Sequence, residues 1–514
     1  ALTPFMKKYY ITTPLYYVNA APHLGHAYTT IAADVLARHK RAQGVPTHLL
    51  TGTDEHGQKI EEAAKAAGKH TIDFCDMTSA KFRDLWKHLD ISYDDFIRTT
   101  EKRHEDKVQE LFALLMKKGD IYKGQYHGWY CVSDETFFTE TEAPANEKGV
   151  RLCPNSECRK PLQLVEEESW FFKLSKYREP LLKHYAANPN FLAPANRANE
   201  ILRFVEGDLQ DLSVSRQKVK WGIPVPGDDT HTIYVWFDAL INYWSAAAGA
   251  ADLWPADVHI VGKEIYRFHA VIWPAMLMAA GLPLPKQVFA HGWWTAEGKK
   301  MSKSLGNFVD PYEITREYGV DVFRFFLLRQ MQFGNDGDFS ADALLLRYNS
   351  ELVDGLSNLL YRTETMVDSY LEGRLPVKNS PSGDFHLKKV APRTPEISAK
   401  IDALDFHGAL EIIWEVIRSL NLHVQETEPF KLAKTDLAKC ELVLFDMIHS
   451  LRIIATWIEP FMPRKSAEMH LQLGVRQFPE ALTAEDVLTG ANSHPGRIQK
   501  GPPLFMRKQK PPKA

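Results

Sequence analysis

Aromatic, apolar and β-branched residues run from 9 to 17, Tyr9-Tyr10-Ile11-Thr12-Thr13-Pro14-Leu15-Tyr16-Tyr17, which predicts a buried strand. Over 27–38 the apolar positions change to helical spacing, from Ala27 through Ile31 and Val35. A second apolar run at 47–50 leads into Thr51-Gly52-Thr53-Asp54-Glu55-His56-Gly57, and helical patterns follow at 58–67, 71–90 and 101–118. This alternation predicts the first half of a doubly wound α/β domain. From 121 to 216 glycines, aromatics, short β-like runs and proline-broken acidic segments read as an insertion between two halves of one sheet. The sheet is expected to resume with strands at 232–238, 258–263 and 288–292, helical patterns following the first two at 239–245 and 264–280. Beyond residue 311 the periodicity is helical at 312–330, 344–368, 407–428 and 437–458, with a polar linker at 378–393. The helices after 344 predict an antiparallel bundle.

Composition narrows the class. A chain of 514 residues, 45% hydrophobic and 25% charged, is an ordinary globular composition with room for two to four domains. The net charge of −3 argues against a binder that is basic throughout, but not against local basic surfaces. Residues 493–514 contain no acid and carry Arg497, Lys500, Arg507, Lys508, Lys510 and Lys513, which by default is a mobile basic end. The longest uncharged apolar stretch, 270–285, is too short for a membrane span and is broken by three prolines, so no membrane partner is expected. Five cysteines are too few for a disulfide framework, and no secretory pattern opens the chain. Both features suit a reducing compartment: the cytoplasm, with the mitochondrial matrix as the alternative.

The candidate chemistry begins at His23-Leu24-Gly25-His26, where the first strand hands over to a helix. A helix N-terminus offers free N–H groups and partial positive charge, which suit a polyphosphate, and Gly25 has no side chain to hold a ligand away. Histidines there can donate to phosphate oxygens as charge builds, or they can simply cap the helix. Far downstream, Lys299-Lys300-Met301-Ser302-Lys303-Ser304-Leu305-Gly306-Asn307 is a basic loop flanked by Gly298 and Gly306. Lys300 and Lys303 on such a loop could close over a triphosphate. Cys131, Asp134, Cys153 and Cys158 could form a zinc knuckle, although neither cysteine pair has the C-x₂-C spacing of a strong site. Plain buried cysteines are the other reading.

The two loops together resemble the class I aminoacyl-tRNA synthetases, and the text from 9 to 464 is most similar to their methionine-specific branch. The carrying segments are 16–26, 51–57, Asp211-Leu212-Ser213-Val214-Ser215-Arg216, Tyr234-Val235-Trp236-Phe237-Asp238-Ala239 and Lys300-Met301-Ser302-Lys303-Ser304. The resemblance implies a split Rossmann-like catalytic domain (1–118 and 217–295) interrupted by a connective insertion at 119–216. A region contacting the tRNA stem (296–343), an all-α anticodon-binding bundle (344–480) and a basic tail (481–514) would follow.

By the same resemblance, His23, His26, Lys300 and Lys303 are the catalytic residues. Asp54 would hold the methionine ammonium, Leu15 would give backbone contacts, and Tyr17, Trp236, Ala239, Leu240, Tyr243, Ile265 and His269 would wall the thioether. Aromatic edges and an adaptable apolar wall suit that sulfur, and His269 could donate to it. ATP, with its Mg²⁺, would meet His23, Gly25, His26, Gly262, Glu264, Lys300 and Lys303, the family often having Asp at the position of Glu264. Arg216, Asn358, Arg362 and Phe430 would face tRNA(Met), Phe430 standing where the family usually has Trp. The implied reaction is methionine activation to methionyl-adenylate and pyrophosphate, then transfer to the tRNA 3′ ribose with release of AMP. No nucleophilic residue is needed, because positioning and charge stabilisation carry such transfers. The insertion is too short to house the editing domain of the leucine, isoleucine and valine relatives, and a monomer is expected. A cysteine-specific relative and an inactive tRNA-binding scaffold of the same fold are the alternatives.

Overall fold

The structure, a computed structural model, describes residues 6–301, 307–376, 384–474 and 496–510. The chain divides into two compact units, one of residues 1–33 and 46–292 and one of 34–45 and 293–514.

The first unit is built on a seven-stranded sheet. Tyr9–Thr12 lies in its middle, paired parallel with Thr47–Asp54 on one side and Val258–Gly262 on the other. Val288–His291 continues the sheet beyond Val258–Gly262, and Asp95–Arg98 lies outside Thr47–Asp54, again all parallel. Every residue of Val258–Gly262 and Val288–His291 is buried, as expected of parallel strands covered on both faces. The core joins Tyr10, Leu50, Ile97, Phe112, Phe237, Val261 and Trp273. Successive strands run outward from Tyr9–Thr12 first on one side and then on the other. The topological switch point, where open α/β sheets bind ligands, therefore lies at its carboxyl end.

The first predicted strand is two segments, Tyr9–Thr12 and Tyr16–Tyr17, separated at Pro14. The strand expected at 232–238 is a correction. Asp228–Ile233 is the strand, and it joins a separate antiparallel sheet with Ser215–Arg216 and Pro224–Val225. Val235–Leu240 is already helix. A short apolar run bounded by polar residues does not distinguish strand from buried helix, and here the helix prevails. The second half thus gives the parallel sheet two strands, and Leu192–Ala193 from the insertion supplies a third beside Val288–His291. Most of the insertion is a long hairpin, Ile121–Cys131 against Gln163–Phe172, widened by Thr136–Phe138 and Leu212–Ser213.

In the second unit Trp294–Ala296 pairs antiparallel with Lys299–Lys300 and parallel with Gly337–Phe339. The helix expected at 312–330 is broken at Gly319 (φ 90°) into Pro311–Tyr318 and Val320–Arg329. Phe406–Thr427 and Leu437–Ile458 match the predicted periodicities, and Pro463–Gln472 is an additional helix. Arg324 and Asp34 form a wholly buried ion pair at 2.6 Å. The described part of the tail, 496–510, is docked rather than loose. Tyr348 Oη donates to the Met506 carbonyl, and Asn349 exchanges hydrogen bonds with the Lys508 backbone. No described helix is long and apolar enough to cross a membrane.

Candidate active site

The two motif histidines open the helix Leu24–Ala42. His23 Nδ1 accepts from the Gly25 N–H at 3.0 Å, and His26 Nδ1 accepts from the His23 N–H at 3.1 Å. Each therefore caps a backbone donor that the helix leaves unsatisfied. A ring nitrogen that accepts carries no proton, so both imidazoles hold their proton on Nε2. Burial, with His23 and Lys59 nearby, keeps the His26 pKa well below its ordinary value, so the ring is neutral. The rings stack with centroids 3.8 Å apart. A Cβ on Gly25 would lie 2.9 Å from His23 Cε1, so glycine is what admits this arrangement. Behind them His291, at the end of its strand, accepts from Thr29 Oγ1 on Nε2 at 2.7 Å and donates from Nδ1 to the Gly292 carbonyl. Sequence reading did not single out His291.

Asp54 is the last residue of its strand and pairs in register with Tyr17. It does not cap the next helix, whose N-cap is Gly57. Asp54 is 1% exposed, and its Oδ1 is buried without a hydrogen-bond partner. Burial first, then the negative charge of Asp238, raises its pKa well above the ordinary carboxylate value. Tyr17 Oη and Trp236 Nε1 are likewise buried and unpartnered. A native protein seldom leaves three such atoms together unless a ligand completes them. Tyr17 meets Trp236 edge-on at 6.1 Å, and Trp236 stacks on Phe268 at 4.1 Å. His269 and Tyr243 extend this aromatic wall, with Ala239 and Leu240 buried beside it and Ile265 partly buried against the same core. Leu15 also packs there, and a Cβ on Gly52 would collide with the Ile97 carbonyl and crowd Leu15 Cδ2.

The expected donation from His269 to a thioether is not available in this arrangement. Its Nδ1 donates to the Ile265 carbonyl at 3.0 Å, so Nε2 is the acceptor for Tyr243 Oη at 2.6 Å. Burial lowers its pKa to about 4, which leaves the ring neutral and without a further N–H. Its contribution is an apolar edge and a fixed Tyr243 hydroxyl.

A buried clasp holds the two sides of this pocket, and sequence reading missed it. Asp238 receives His56 Nδ1 at 2.7 Å on one oxygen and His104 Nε2 at 2.6 Å on the other, and His104 Nδ1 meets Ser245 Oγ at 2.7 Å. His56 follows Asp54 by two residues and Asp238 follows Trp236 by two, so the clasp fixes both walls. Burial opposes charge on both partners, yet their mutual attraction raises the His56 pKa and lowers that of Asp238. Glu55, also buried, is held bidentate by Arg98 at 2.6–3.1 Å.

Gly262 ends its strand and Glu264 follows in a single 3₁₀ turn, with the Glu264 carboxylate folded against Gly262. Arg216 is buried, donates to Glu167 Oε1 at 2.9 Å and lies 4.4 Å over the Tyr130 ring. In the second unit the backbone of Lys300 belongs to the strand Lys299–Lys300, and Lys303 lies outside the described residues. Asn358 and Arg362 are exposed one turn apart on the helix Asn358–Leu371, and Phe430 is 45% exposed.

The four knuckle residues do converge. Three sulfurs and a carboxylate oxygen of Cys131, Cys153, Cys158 and Asp134 all lie within 4.8 Å of one another. The Cys131 and Cys158 sulfurs are 3.5 Å apart, too far for a disulfide and close to the separation of about 3.8 Å that two zinc-bound thiolates adopt. The neighbouring Cys153 thiol holds the Cys131 thiol below its ordinary value, and Cys153 Sγ itself donates to Asp134 Oδ2 at 3.3 Å. The donor set therefore fits a tetrahedral zinc.

A family model described as tRNA synthetases class I (M) matches residues 9–364. The methionine–tRNA ligase of Caldanaerobacter subterraneus is 47% identical over 98% of this chain and 79% of its own length. That of Thermotoga maritima is 46% identical over 97% and 80%. Among solved structures, Mycobacterium tuberculosis methionyl-tRNA synthetase in complex with methionyl-adenylate superposes with a TM-score of 0.92. It is 40% identical and is matched over 98% of this chain and all of that one. The site geometry and these matches agree, and the chain belongs to the class I tRNA synthetases, in their methionyl branch.

Proposed function

We propose that the chain is a methionine–tRNA ligase in which Asp54 receives the substrate ammonium. The observation that carries this reading is the buried, unpartnered Asp54 Oδ1 beside the aromatic wall of Tyr17 and Trp236. An ammonium supplies the charge and donor that Asp54 lacks, and the wall offers aromatic edges to a thioether. Asp54 and the wall hold methionine so that its carboxylate can attack the α-phosphate of ATP. His23 and His26, protonated on Nε2, donate to phosphate oxygens as charge accumulates. Gly262 and Glu264 are assigned to the ATP ribose, and Lys300 and Lys303 to the departing pyrophosphate. The Mg²⁺ that accompanies ATP supplies neutralising charge on the phosphates. The terminal ribose hydroxyl of tRNA(Met) then attacks the methionyl carbonyl and AMP leaves. Arg216 is assigned to the tRNA end, and Asn358, Arg362 and Phe430 to the anticodon.

Zinc held by Cys131, Asp134, Cys153 and Cys158 would serve structure, tying the turn after Ile121–Cys131 to the 153–158 loop. The relatives named above are bacterial, which supports the cytoplasm as the setting. The test is ATP–pyrophosphate exchange run with each amino acid separately and repeated with His26→Ala. Exchange with methionine alone, lost in the variant, is the expected result. Exchange with another amino acid overturns the specificity, and none at all overturns the ligase reading.

A further inference from the structure

The helix that carries Asn358 and Arg362 is the last part of one continuous run. Ala341–Arg347 is α-helical, Tyr348–Ser357 is π-helical, and Asn358–Leu371 returns to α-helix. At the exit the Asn358 N–H reaches back five residues, to the Val353 carbonyl, instead of four. A π segment closes each turn one residue late and is rare beyond a single turn. Ten residues of it call for support from outside the helix. Each residue taken up in this way turns everything after it by about 100°, the angle one residue occupies in an α-helix. The rotation of Asn358–Leu371 about its own axis is therefore set upstream, in the π segment.

The support is specific. Two side chains of the helix Phe406–Thr427 reach main-chain carbonyls inside the segment. Trp414 Nε1 donates to the Glu351 carbonyl at 3.0 Å, and Asn421 Nδ2 donates to the Gly355 carbonyl at 3.2 Å. Side chains inserted into the ladder of a helix draw it away from α-geometry. At the exit Ser357 Oγ donates to the Phe505 carbonyl at 3.2 Å and accepts from the Phe505 N–H at 3.1 Å. With the segment held so, Leu359 and Leu360 point into the bundle while Asn358, Tyr361 and Arg362 are exposed. The charge around that exposed face suits RNA. Asp354, one turn before Asn358, is paired with Arg507, and the Lys500 ammonium lies 5.0 Å over the Tyr361 ring.

We propose that Trp414 and Asn421 are positioning residues for anticodon reading. By holding the π segment open they set the rotation at which Asn358 and Arg362 meet tRNA(Met). The proposal rests on the assignment of those two residues to the anticodon, and its test separates the two. Full-length wild type, Trp414→Phe and Asn421→Leu are compared in methionine-dependent pyrophosphate exchange, which needs no tRNA. Charging is then measured on tRNA(Met) and on the same tRNA with one anticodon base replaced. Asn421→Leu is also placed in a background that carries Asn358→Ala and Arg362→Ala.

In Trp414→Phe and Asn421→Leu the tRNA KM is expected to rise about tenfold and the preference for the native anticodon to fall about as far, the upper scale of one hydrogen bond. Exchange, and kcat at saturating tRNA, should stay within about twofold, because neither donor touches a reacting group. In the Asn358→Ala, Arg362→Ala background Asn421→Leu should add little, since a residue that acts through those two has nothing left to position. A tRNA KM and an anticodon preference that survive in both single variants overturn the proposal, even where the melting temperature falls, because the two hydrogen bonds then serve stability alone. An effect that adds in full to the background overturns it too, as does loss of exchange in step with charging. If Asn358→Ala with Arg362→Ala leaves the anticodon preference intact, the anticodon assignment itself fails, and this proposal with it.

Discussion

Replacing Asp54 with Asn should weaken methionine binding and stabilise the free protein at once. The carboxyl group is 1% exposed and one of its oxygens has no partner, so ionising it in the unliganded protein would leave a buried charge uncompensated. Pairing such a charge, or losing its partner, changes free energy by about 3–5 kcal/mol. At about 1.4 kcal/mol per decade, Asp54→Asn should raise the methionine KM by about two to three and a half orders of magnitude. ATP KM should barely move. The stability effect has the opposite sign. The folded pKa lies above the ordinary value of 3.8, so the native carboxyl keeps its proton where the unfolded one has lost it. Native stability is therefore eroded as pH rises from about 4 through the folded pKa, and the Asn variant escapes that erosion. Its melting temperature should match wild type near pH 4 and exceed it increasingly towards pH 8. Wild-type methionine affinity should in turn fall as pH drops through the same interval, because only the ionised form pairs with ammonium. Pyrophosphate exchange gives the KM values, and thermal melts across pH give the rest. An unchanged methionine KM, or a variant less stable than wild type at pH 8, would refute the reasoning.

Arg324→Met should cost about 3–5 kcal/mol in urea unfolding, because Asp34 and the carbonyls of Pro460 and Phe461 all take its donors in a fully buried site; a loss under about 1 kcal/mol would count against this. The protein purified without chelator should carry about one zinc per chain by elemental analysis, lost in Cys153→Ser, and chelation should lower its melting temperature; equal metal content in both proteins would remove the site. Glu364, wholly buried in its helix, has its carboxyl pushed by burial to about 8 against an ordinary 4.5. Stability should therefore decline from about pH 4.5 to pH 8, by up to about 3 kcal/mol at pH 7, and Glu364→Gln should flatten that slope in pH-dependent melts; parallel curves for the two proteins would contradict it.

The strands that carry the site were legible because parallel strands buried on both faces read as continuous apolar runs. Asp54 could be placed at a strand end for the same reason. Trp236 was expected on a strand and lies on a helix, since Tyr234-Val235-Trp236-Phe237 is apolar enough for either and too short for periodicity to decide. The clasp of Asp238 by His56 and His104 was illegible as a spacing, because its members come from three elements that meet only in the fold. A signal was present nonetheless: an acid inside Val235-Trp236-Phe237-Asp238-Ala239-Leu240 is destined for burial, and a buried carboxylate must find a partner. The convergence of the knuckle residues was illegible for a related reason. Its ligands sit on two separate loops, and only the turn of the hairpin brings Cys131 and Asp134 to Cys153 and Cys158.

Under the proposed reaction, capping and phosphate donation by the histidine pair, treated in sequence as rival explanations, would be served by one arrangement. A catalytic imidazole that donates to phosphate must keep its proton on the nitrogen facing the ligand and stay neutral while the site is empty. At His23 and His26 the helix itself imposes this, because unsatisfied N–H groups at its start claim each Nδ1 as an acceptor and leave the proton on Nε2. Burial then keeps His26 from acquiring a second proton. Substituting either ring by Asn would keep an acceptor near the backbone but shorten the reach of the donor, so helix start and phosphate contact cannot both be served. The requirement of the fold and that of the proposed chemistry would therefore select the same side chain at the same position, with Gly25 giving the rings room to stack.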